Sequence, residues 1–515
     1  MKTIAEMLRW RARLDPDGIV LVHGDHSTTY AELDRRSSRV ASALVAAGLQ
    51  PGERVCLLDK GHDEFIEVLF GVAKAGGVYT PVNWRLAGPE VAFVLNDAEA
   101  PIVFVGESFA DEVADIESDL AKLRKLIRWG EGPDHWQPYE DFRDGADEVD
   151  PRCDTDASAT AWQLYTSGTT GQPKGAELTH LNLAETAMLG PIGFGPVAPG
   201  ERALICMPLY HIGGSGYALA AFFAGARLII TREADPGEIL RLIGKEGIHH
   251  AFFVPALINF LLQHPDCAKT DFASMRSILY GASPIPAELL AAAVERIGCD
   301  FIQAYGLTET TGAIVLLPAN DHVPGNPRLA ACGLPVYGNR VRVVDAEGRD
   351  CGPGAVGEII MQGPMVMKGY YNRPEATAEA IRDGWFHSGD AGYLDEDGYL
   401  YIHDRVKDMI VSGGENVYPA EVESVLFAHD AVADVAVIGV PDERWGEAVK
   451  AVVVQAMDAD VDEQTLIDFC KGRIAGFKCP RSVDFVEALP RNPTGKILKR
   501  ELREPYWEGY ERQVH

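Results

Sequence analysis

The chain has 515 residues, 47% of them hydrophobic and 24% charged, and a formal net charge of −29. That length exceeds one compact core and predicts two or more domains, while the composition excludes a disordered chain. The acidic charge repels polyphosphate backbones and anionic membrane surfaces, so no nucleic-acid partner is expected. Nine cysteines without a C-x-x-C pair offer neither a zinc site nor a disulfide framework and suit a reducing compartment, which points to the cytoplasm. The opening MKTIAEMLRWRARLDPDG is charged throughout and does not read as a signal peptide.

In chain order, Thr29 with Glu32 forms a capping box that opens a helix with Leu33, Val40 and Leu44 on its apolar side and a stop at Gly48. Strand-like 54–58, helical 64–75 and strand-like 78–80 follow, a β-α-β rhythm that predicts parallel sheets flanked by helices. The rhythm continues at 102–105, and an apolar strand at 161–165 precedes a Gly-rich loop and a helix from Thr179. Residues 203–226 are long enough to span a bilayer, but Pro208, His211, Gly213, Gly214 and Gly216 interrupt them. A buried loop and helix is expected there, with no integral membrane segment. After Asp404 the pattern becomes a small α+β unit: a turn at Ser412, Gly413 and Gly414, a helix begun by Pro419, strands at 433–440 and 448–455, and a helix bearing Leu466, Ile467, Cys470 and Ile474. The expected fold is therefore α/β, a large multi-sheet N-terminal domain (1–405) with a smaller α+β C-terminal domain (406–515), hinged at the short charged break near Lys407.

The loop YTSGTTGQPKG at 165–175 reads as a phosphate cradle. Gly168, Gly171 and Gly175 let backbone approach an anion, Thr166, Ser167, Thr169 and Thr170 offer hydroxyls, and Lys174 supplies a cation. Pro173 before the lysine and Gly175 after it depart from P-loop spacing. At 305–310, YGLTET offers Tyr305 to stack on adenine, Gly306 as a flexible point, Thr308 to bond a phosphate and Glu309 to hold the magnesium that accompanies a triphosphate. Asp390 in HSGD can accept both ribose hydroxyls, and Arg405 in DRVKDMI can bond the same sugar or a phosphate. Lys496 sits in a Thr-Gly turn, inside a C-terminal stretch whose basic residues (among them Lys471, Arg473, Lys478, Arg481, Arg491, Lys499 and Arg503) reverse the acidic bias and suggest an anionic ligand.

Together, YTSGTTGQPKG, PLYHIGG, YGLTET, HSGD, DRVKDMIVSGGENVYPAEVE and PRNPTGK, in this order and nearly end to end, resemble the adenylate-forming superfamily of acyl-CoA synthetases, adenylation domains and luciferases, most closely its fatty-acyl-CoA synthetases. The resemblance implies ATP, Mg2+ and coenzyme A as cofactor and co-substrates. It implies that Lys174 and its loop hold the β- and γ-phosphates, that Glu309 binds magnesium, that Asp390 and Arg405 hold the ribose, and that Lys496 bridges the carboxylate and α-phosphate. Lys407 matches the hinge position, and Gly414 leaves room for pantetheine. Trp445 and Lys478 are similar to coenzyme A contacts, and His211 resembles the histidine at the acyl entrance. Lys496, Glu309, His211 and Thr308 make the catalytic set, and Gly281, Ala282, Tyr305 and Gly306 join the cofactor-binding set. Ser388 in place of threonine and Tyr210 in place of phenylalanine are mild departures.

The candidate acid-pocket segments 212–214, 252–255, 280–282 and 306–307 carry no arginine or lysine, so a second carboxylate would be buried without a partner and a hydrophobic acid is favoured. The resemblance selects a medium- or long-chain fatty acid. An aromatic acid, a sterol side chain, or transfer to a separate carrier protein are the alternatives, and a homodimer is left open. An oxygen-dependent luciferase-like activity has no support in the sequence, and a non-catalytic sensor is disfavoured because Lys496 and Glu309 are both present.

Overall fold

The computed structural model describes residues 3–507 apart from 167–172, 194, 196, 284, 324, 406–407, 413–414, 443, 458, 472 and 492–496. Two large sheets, both mainly parallel, form the body. The first runs Leu334–Pro335, Gly312–Leu317, Asp300–Leu307, Ser277–Gly281, His250–Phe253, Arg202–Ile205, Arg227–Ile230, Ile19–His23, His26–Thr29. The six strands from Asp300–Leu307 to Ile19–His23 are parallel, and the two end hairpins are antiparallel. The second runs Gly369–Tyr370, Lys174–Thr179, Thr160–Thr166, Val78–Pro81, Arg54–Leu58, Ile102–Gly106, Lys125–Trp129, Gln137–Pro138. Its central strands are apolar runs, with Val55, Leu57, Ile102 and Phe104 fully buried, because helices cover both faces.

The β-α-β rhythm of the N-terminal part is realised. The helix Tyr30–Ala46 is capped by Thr29, whose hydroxyl accepts from the Glu32 amide at 3.2 Å. The helix Asp63–Lys74 packs beside it. The interrupted apolar stretch becomes the strand Arg202–Ile205, the helix Ile212–Ala224 and the strand Arg227–Ile230, and among the described residues no helix is long and apolar enough to cross a membrane. The Gly-rich loop does not lead straight into a helix, however. A strand, Lys174–Thr179, intervenes and pairs antiparallel with Thr160–Thr166, because KGAELT can return along the sheet edge before the helix His180–Gly193 begins.

A third, antiparallel sheet holds Arg340–Val344, Gly357–Gln362, Trp385–Leu394, Ile381–Arg382 and Leu400–Arg405. The fourth sheet contains Glu415–Val417, Ile410–Ser412, Gly446–Gln455, Val432–Asp442 and Ser482–Phe485. The helices Pro419–Phe427 and Glu463–Lys471 pack on it through Val422, Leu426, Leu466 and Cys470 against Val435, Val437, Val449 and Val453. Ile474 lies past the end of that second helix and only flanks the core.

Two glycines hold the site-bearing strands together. A Cβ on Gly281 would lie 2.1 Å from the Ala304 carbonyl oxygen, and one on Gly306 would lie 1.9 Å from that of Gly312. Gly306→Ala therefore has to part the hairpin that carries YGLTET. The expected cost is about 3 kcal/mol, read as a lowered unfolding midpoint.

Candidate active site

The first sheet delivers four of the expected segments to one edge. His211, Val254, Ala282 and Thr308 each follow the carboxyl end of a strand, Arg202–Ile205, His250–Phe253, Ser277–Gly281 and Asp300–Leu307 respectively. Ligands of open parallel sheets bind at such an edge. Ala282 adopts a left-handed conformation with φ 68°, and Thr311, a β-branched residue, does so with φ 54°. Strain of this kind persists only where the surroundings over-determine it. Here Thr310, fully buried, accepts from the Leu307 amide at 2.8 Å and donates to the Gly312 carbonyl at 2.8 Å. Thr311 donates to the Met365 carbonyl at 2.6 Å, and Thr186 donates to the Thr311 carbonyl at 3.2 Å. These threonines lock the short turn Thr308–Thr310; the motif YGLTET includes Thr310, while Thr311 and Thr186 lie outside it.

Glu309 is buried, 8% exposed, which removes the reading of an idle surface carboxylate. Its Oε1 accepts from the Tyr370 hydroxyl at 2.8 Å. Lys174, the cation of the Gly-rich loop, opens its strand with Nζ 5.2 Å from the centroid of the same Tyr370 ring. Burial and the Glu309 carboxylate raise the Tyr370 pKa, so the hydroxyl keeps its proton and remains a donor. Residues 364–371 form a strap between the two large sheets. Asn182 donates to the Pro364 and Val366 carbonyls at 2.7 and 2.9 Å, the Met367 amide bonds the Glu309 carbonyl at 2.7 Å, and the Lys368 and Tyr371 amides bond Glu177 and Gly175 at 2.9 and 2.8 Å. The strand behind Lys174 is braced in turn: buried Gln163 accepts from Arg54 at 2.8 Å, and Arg54 also pairs with Glu177 at 2.8 Å. Tyr370 escaped the sequence reading because its partners are 61 and 196 residues away. The one signal was an aromatic pair, Tyr370 and Tyr371, after a glycine in a loop-like segment.

Asp390 lies in the strand Trp385–Leu394, not in a free turn, and is 6% exposed. Its Oδ2 accepts from the Tyr305 hydroxyl at 2.7 Å, so the predicted adenine and ribose residues are joined. Burial and that carboxylate push the Tyr305 phenol up. Ser388 takes the threonine position without loss, donating to the Ile359 carbonyl at 2.6 Å and accepting from the Asp390 amide at 3.0 Å. Arg405 is paired in register with Asp390 across the hairpin. The Arg405 side chain, and Ser167, Gly168, Thr169, Thr170, Gly171, Lys407, Gly414 and Lys496 as a whole, lie outside the described residues. Thr166 ends its strand opposite Lys174.

His211 caps the helix Ile212–Ala224, its ring 4.4 Å from that of Tyr210. Its Nε2 is buried and has no hydrogen-bond partner among the described residues, and burial, then the nearby Arg85 charge, lowers its pKa to about 3. Arg85 donates to the Tyr210 hydroxyl at 2.9 Å. The expected pocket segments carry no cation, as read, but the fold brings this arginine to their rim from a different sheet.

In the small unit Lys478 pairs with both oxygens of Glu421 at 2.7 Å, and the guanidinium groups of Arg444 and Arg481 lie 4.7 and 5.5 Å from the centroid of the Trp445 ring. Several described cations of the basic C-terminal run are paired with carboxylates of the fold: Lys471 with Asp468, Arg491 with Asp434, Lys499 with Glu423 and Arg503 with Asp408.

His211 has a sign that can be tested. Its folded pKa lies near 3, against about 6.5 in the unfolded chain. The unfolded state therefore binds the proton first, and stability is complete above about pH 6.5 and falls as pH drops toward the folded value. Buried His180, lowered to about 4, adds to the same slope. His211→Gln is expected to flatten the fall in unfolding midpoint between pH 7 and pH 5 without abolishing it, as followed by thermal melts.

With this geometry in view, known proteins can be compared. The AMP-binding enzyme family matches residues 8–371, and its C-terminal domain matches 421–496. A fatty acid–[acyl-carrier-protein] ligase, ScoC of Streptomyces coeruleorubidus, is 41% identical over all of this chain and 98% of its own. A feruloyl-CoA synthase of Amycolatopsis is 40% identical over 96% of this chain and 97% of its own. The crystal structure of ATP-bound MatB from Rhodopseudomonas palustris superposes with a TM-score of 0.89 at 35% identity, covering 98% of this chain and 100% of that one. Family models that match both the large N-terminal part and the C-terminal part, with a relative 41% identical over the whole chain, make this chain a member of the AMP-binding enzyme family, an ATP-dependent acid ligase of the adenylate-forming acyl-CoA synthetase superfamily.

Proposed function

We propose that the chain converts a hydrophobic carboxylic acid, a medium- or long-chain fatty acid, to its acyl-CoA by way of an acyl-adenylate. The observation that carries the reading is the Lys174–Tyr370–Glu309 arrangement beside the Tyr305–Asp390 pair. A carboxylate oxygen attacks the α-phosphorus of ATP, the bond to pyrophosphate breaks, and the mixed anhydride forms. The thiolate of coenzyme A then attacks the acyl carbon, and AMP leaves with the electrons of the carbon–oxygen bond. Lys174 and the loop before it hold the outer phosphates, Asp390 with Arg405 holds the ribose, and Tyr305 stacks on the base. Lys496 meets the charge that develops between acid and α-phosphate. A neutral His211 at neutral pH offers an uncharged hydrogen bond to the acid at the pocket mouth.

Glu309 suits one inner-sphere position on Mg2+. It is a hard oxygen donor oriented by a hydrogen bond, and among the described residues no group of three or more candidate ligands surrounds it. Magnesium characteristically takes one or two carboxylates and completes its shell from substrate phosphates and water, where it neutralises phosphate charge. Domain closure about Lys407, bringing the Gly414 segment to the adenylate, is part of the same proposal. So is coenzyme A at Trp445, where Arg444 and Arg481 supply positive charge beside an aromatic face. The acid favoured here agrees with the ScoC relative, and the acceptor agrees with the feruloyl-CoA relative.

The test is a panel of fatty acids and aromatic acids assayed for pyrophosphate release with and without coenzyme A. Sustained release that requires both a fatty acid and coenzyme A is the expected result. Release that halts at one equivalent and resumes only with an acyl-carrier protein would replace the acceptor, and release with aromatic acids alone would replace the acid. Tyr370→Phe removes only the hydrogen bond to Glu309. It is expected to raise the Mg2+ concentration for half-maximal pyrophosphate release about tenfold while the acid KM changes little, as measured by magnesium titration at saturating ATP.

A further inference from the structure

Between the helix Ile212–Ala224 and the first sheet lies a cavity of about 10 Å³, room for a single water. Tyr217, Ala220 and Ala221 line it from the helix, and His250, Ser277 and Leu279 line it from the strands. Side chains alternate along a strand, so Ser277 and Leu279 share one face with Gly281 at the ligand-binding edge. The parallel register places Phe252 beside Leu279 and His250 beside Ser277 on that face. Ser277 is four residues, about 13 Å, deeper than Gly281. Tyr217 is six residues, about 9 Å, along the helix from His211. Phe252 stands between the two ends: a Cβ on Gly213 would lie 2.9 Å from its ring, and its centroid is 6.1 Å from that of Tyr217.

The far end is polar in a distinctive way. His250, 3% exposed, has Nδ1 2.8 Å from the Ser277 hydroxyl and Nε2 2.8 Å from Glu201, which also takes the Arg276 guanidinium. That chain of bonds is satisfied within itself. The Tyr217 hydroxyl is not: it is buried, has no hydrogen-bond partner among the described residues, and its residue is 9% exposed on the cavity wall. A buried hydroxyl left unpaired is costly and calls for a partner.

We propose that this cavity receives the far end of the acid substrate and that the acid carries a hydroxyl there, bonded by Tyr217. The inference rests on the ligase reading above and narrows its substrate class to acids with a hydroxyl roughly 9–13 Å from the carboxylate. Phe252 turns aside as the acid enters. An ω-hydroxy fatty acid and a hydroxyaryl acid present the same chemistry, and the two are separated by the assay.

The experiment measures kcat/KM for pyrophosphate release with matched pairs, ω-hydroxydecanoate against decanoate and para-hydroxycinnamate against cinnamate. In the unsubstituted protein the hydroxylated member of one pair is expected to lead about tenfold, since a site built to bond a hydroxyl rejects the analogue without it. The pair that shows the lead says whether the acid is a chain or a ring. Tyr217→Phe is expected to bring that pair within about twofold by slowing the hydroxylated acid alone. Ala221→Leu, which fills the cavity, should do the same and leave butyrate unaffected, so the argument does not depend on one variant folding. Equal rates in both pairs mean that the cavity only houses a structural water, and a preference that survives Tyr217→Phe assigns it elsewhere; either overturns the inference and leaves the ligase reading standing. No pyrophosphate release with any acid overturns both.

Discussion

The arrangement of the site depends on one aromatic ring shared by two charges. Tyr370 donates its hydroxyl to Glu309 and lies under the ammonium of Lys174, so a cation from one sheet and an anion from another are set by a residue that belongs to neither motif. Opposite charges brought together directly would neutralise each other, and neither would remain available to a phosphate or a metal. A phenol held protonated by burial separates them while fixing both. The strap 364–371 makes this work, because its backbone bonds Glu309 on one side and Glu177 and Gly175 on the other.

The same economy recurs across the molecule. The chain is strongly acidic, and among the described residues of the C-terminal unit Lys471, Lys478, Arg491, Lys499 and Arg503 are held in ion pairs with neighbouring carboxylates. Exposed pairs of this kind contribute little to stability. Lys174, Arg444 and Arg481 instead lie against aromatic rings, Lys174 over Tyr370 and the two arginines over Trp445. Two of the six described non-glycine residues with positive φ lie at the carboxyl edge. Thr311 and Ala282 hold left-handed conformations at the carboxyl edge of the sheet, and the buried hydrogen bonds of Thr310, Thr311 and Thr186 keep the turn before Gly312 in that shape.

Much of the N-terminal architecture was legible in the residues. The capping box at Thr29, the apolar strand 54–58 and the alternation through 105 are local signals, and each element formed where its pattern lay. The strand after the Gly-rich loop was not legible, because KGAELT reads equally as the approach to a helix and acquires strand geometry only by pairing with Thr160–Thr166. Arg85 was likewise invisible as a neighbour of His211: 126 residues separate them, and only the packing of one sheet's loop against the other's helix joins them.

Local pattern by itself determined the α/β class, the order of the motifs and the chemical types gathered for nucleotide chemistry, because hydrophobic period, glycine placement and short-range charge are written over a few residues. Tertiary structure alone decided that Tyr370 contacts both Lys174 and Glu309, that Tyr305 bonds Asp390, and that Tyr217 lines a cavity between its helix and the first sheet. The first two relations join residues from 61 to 196 positions apart, and the cavity joins Tyr217 of a helix to His250, Ser277 and Leu279 of two strands. They arise from how sheets, strap and helix close on one another, which no local window of sequence contains.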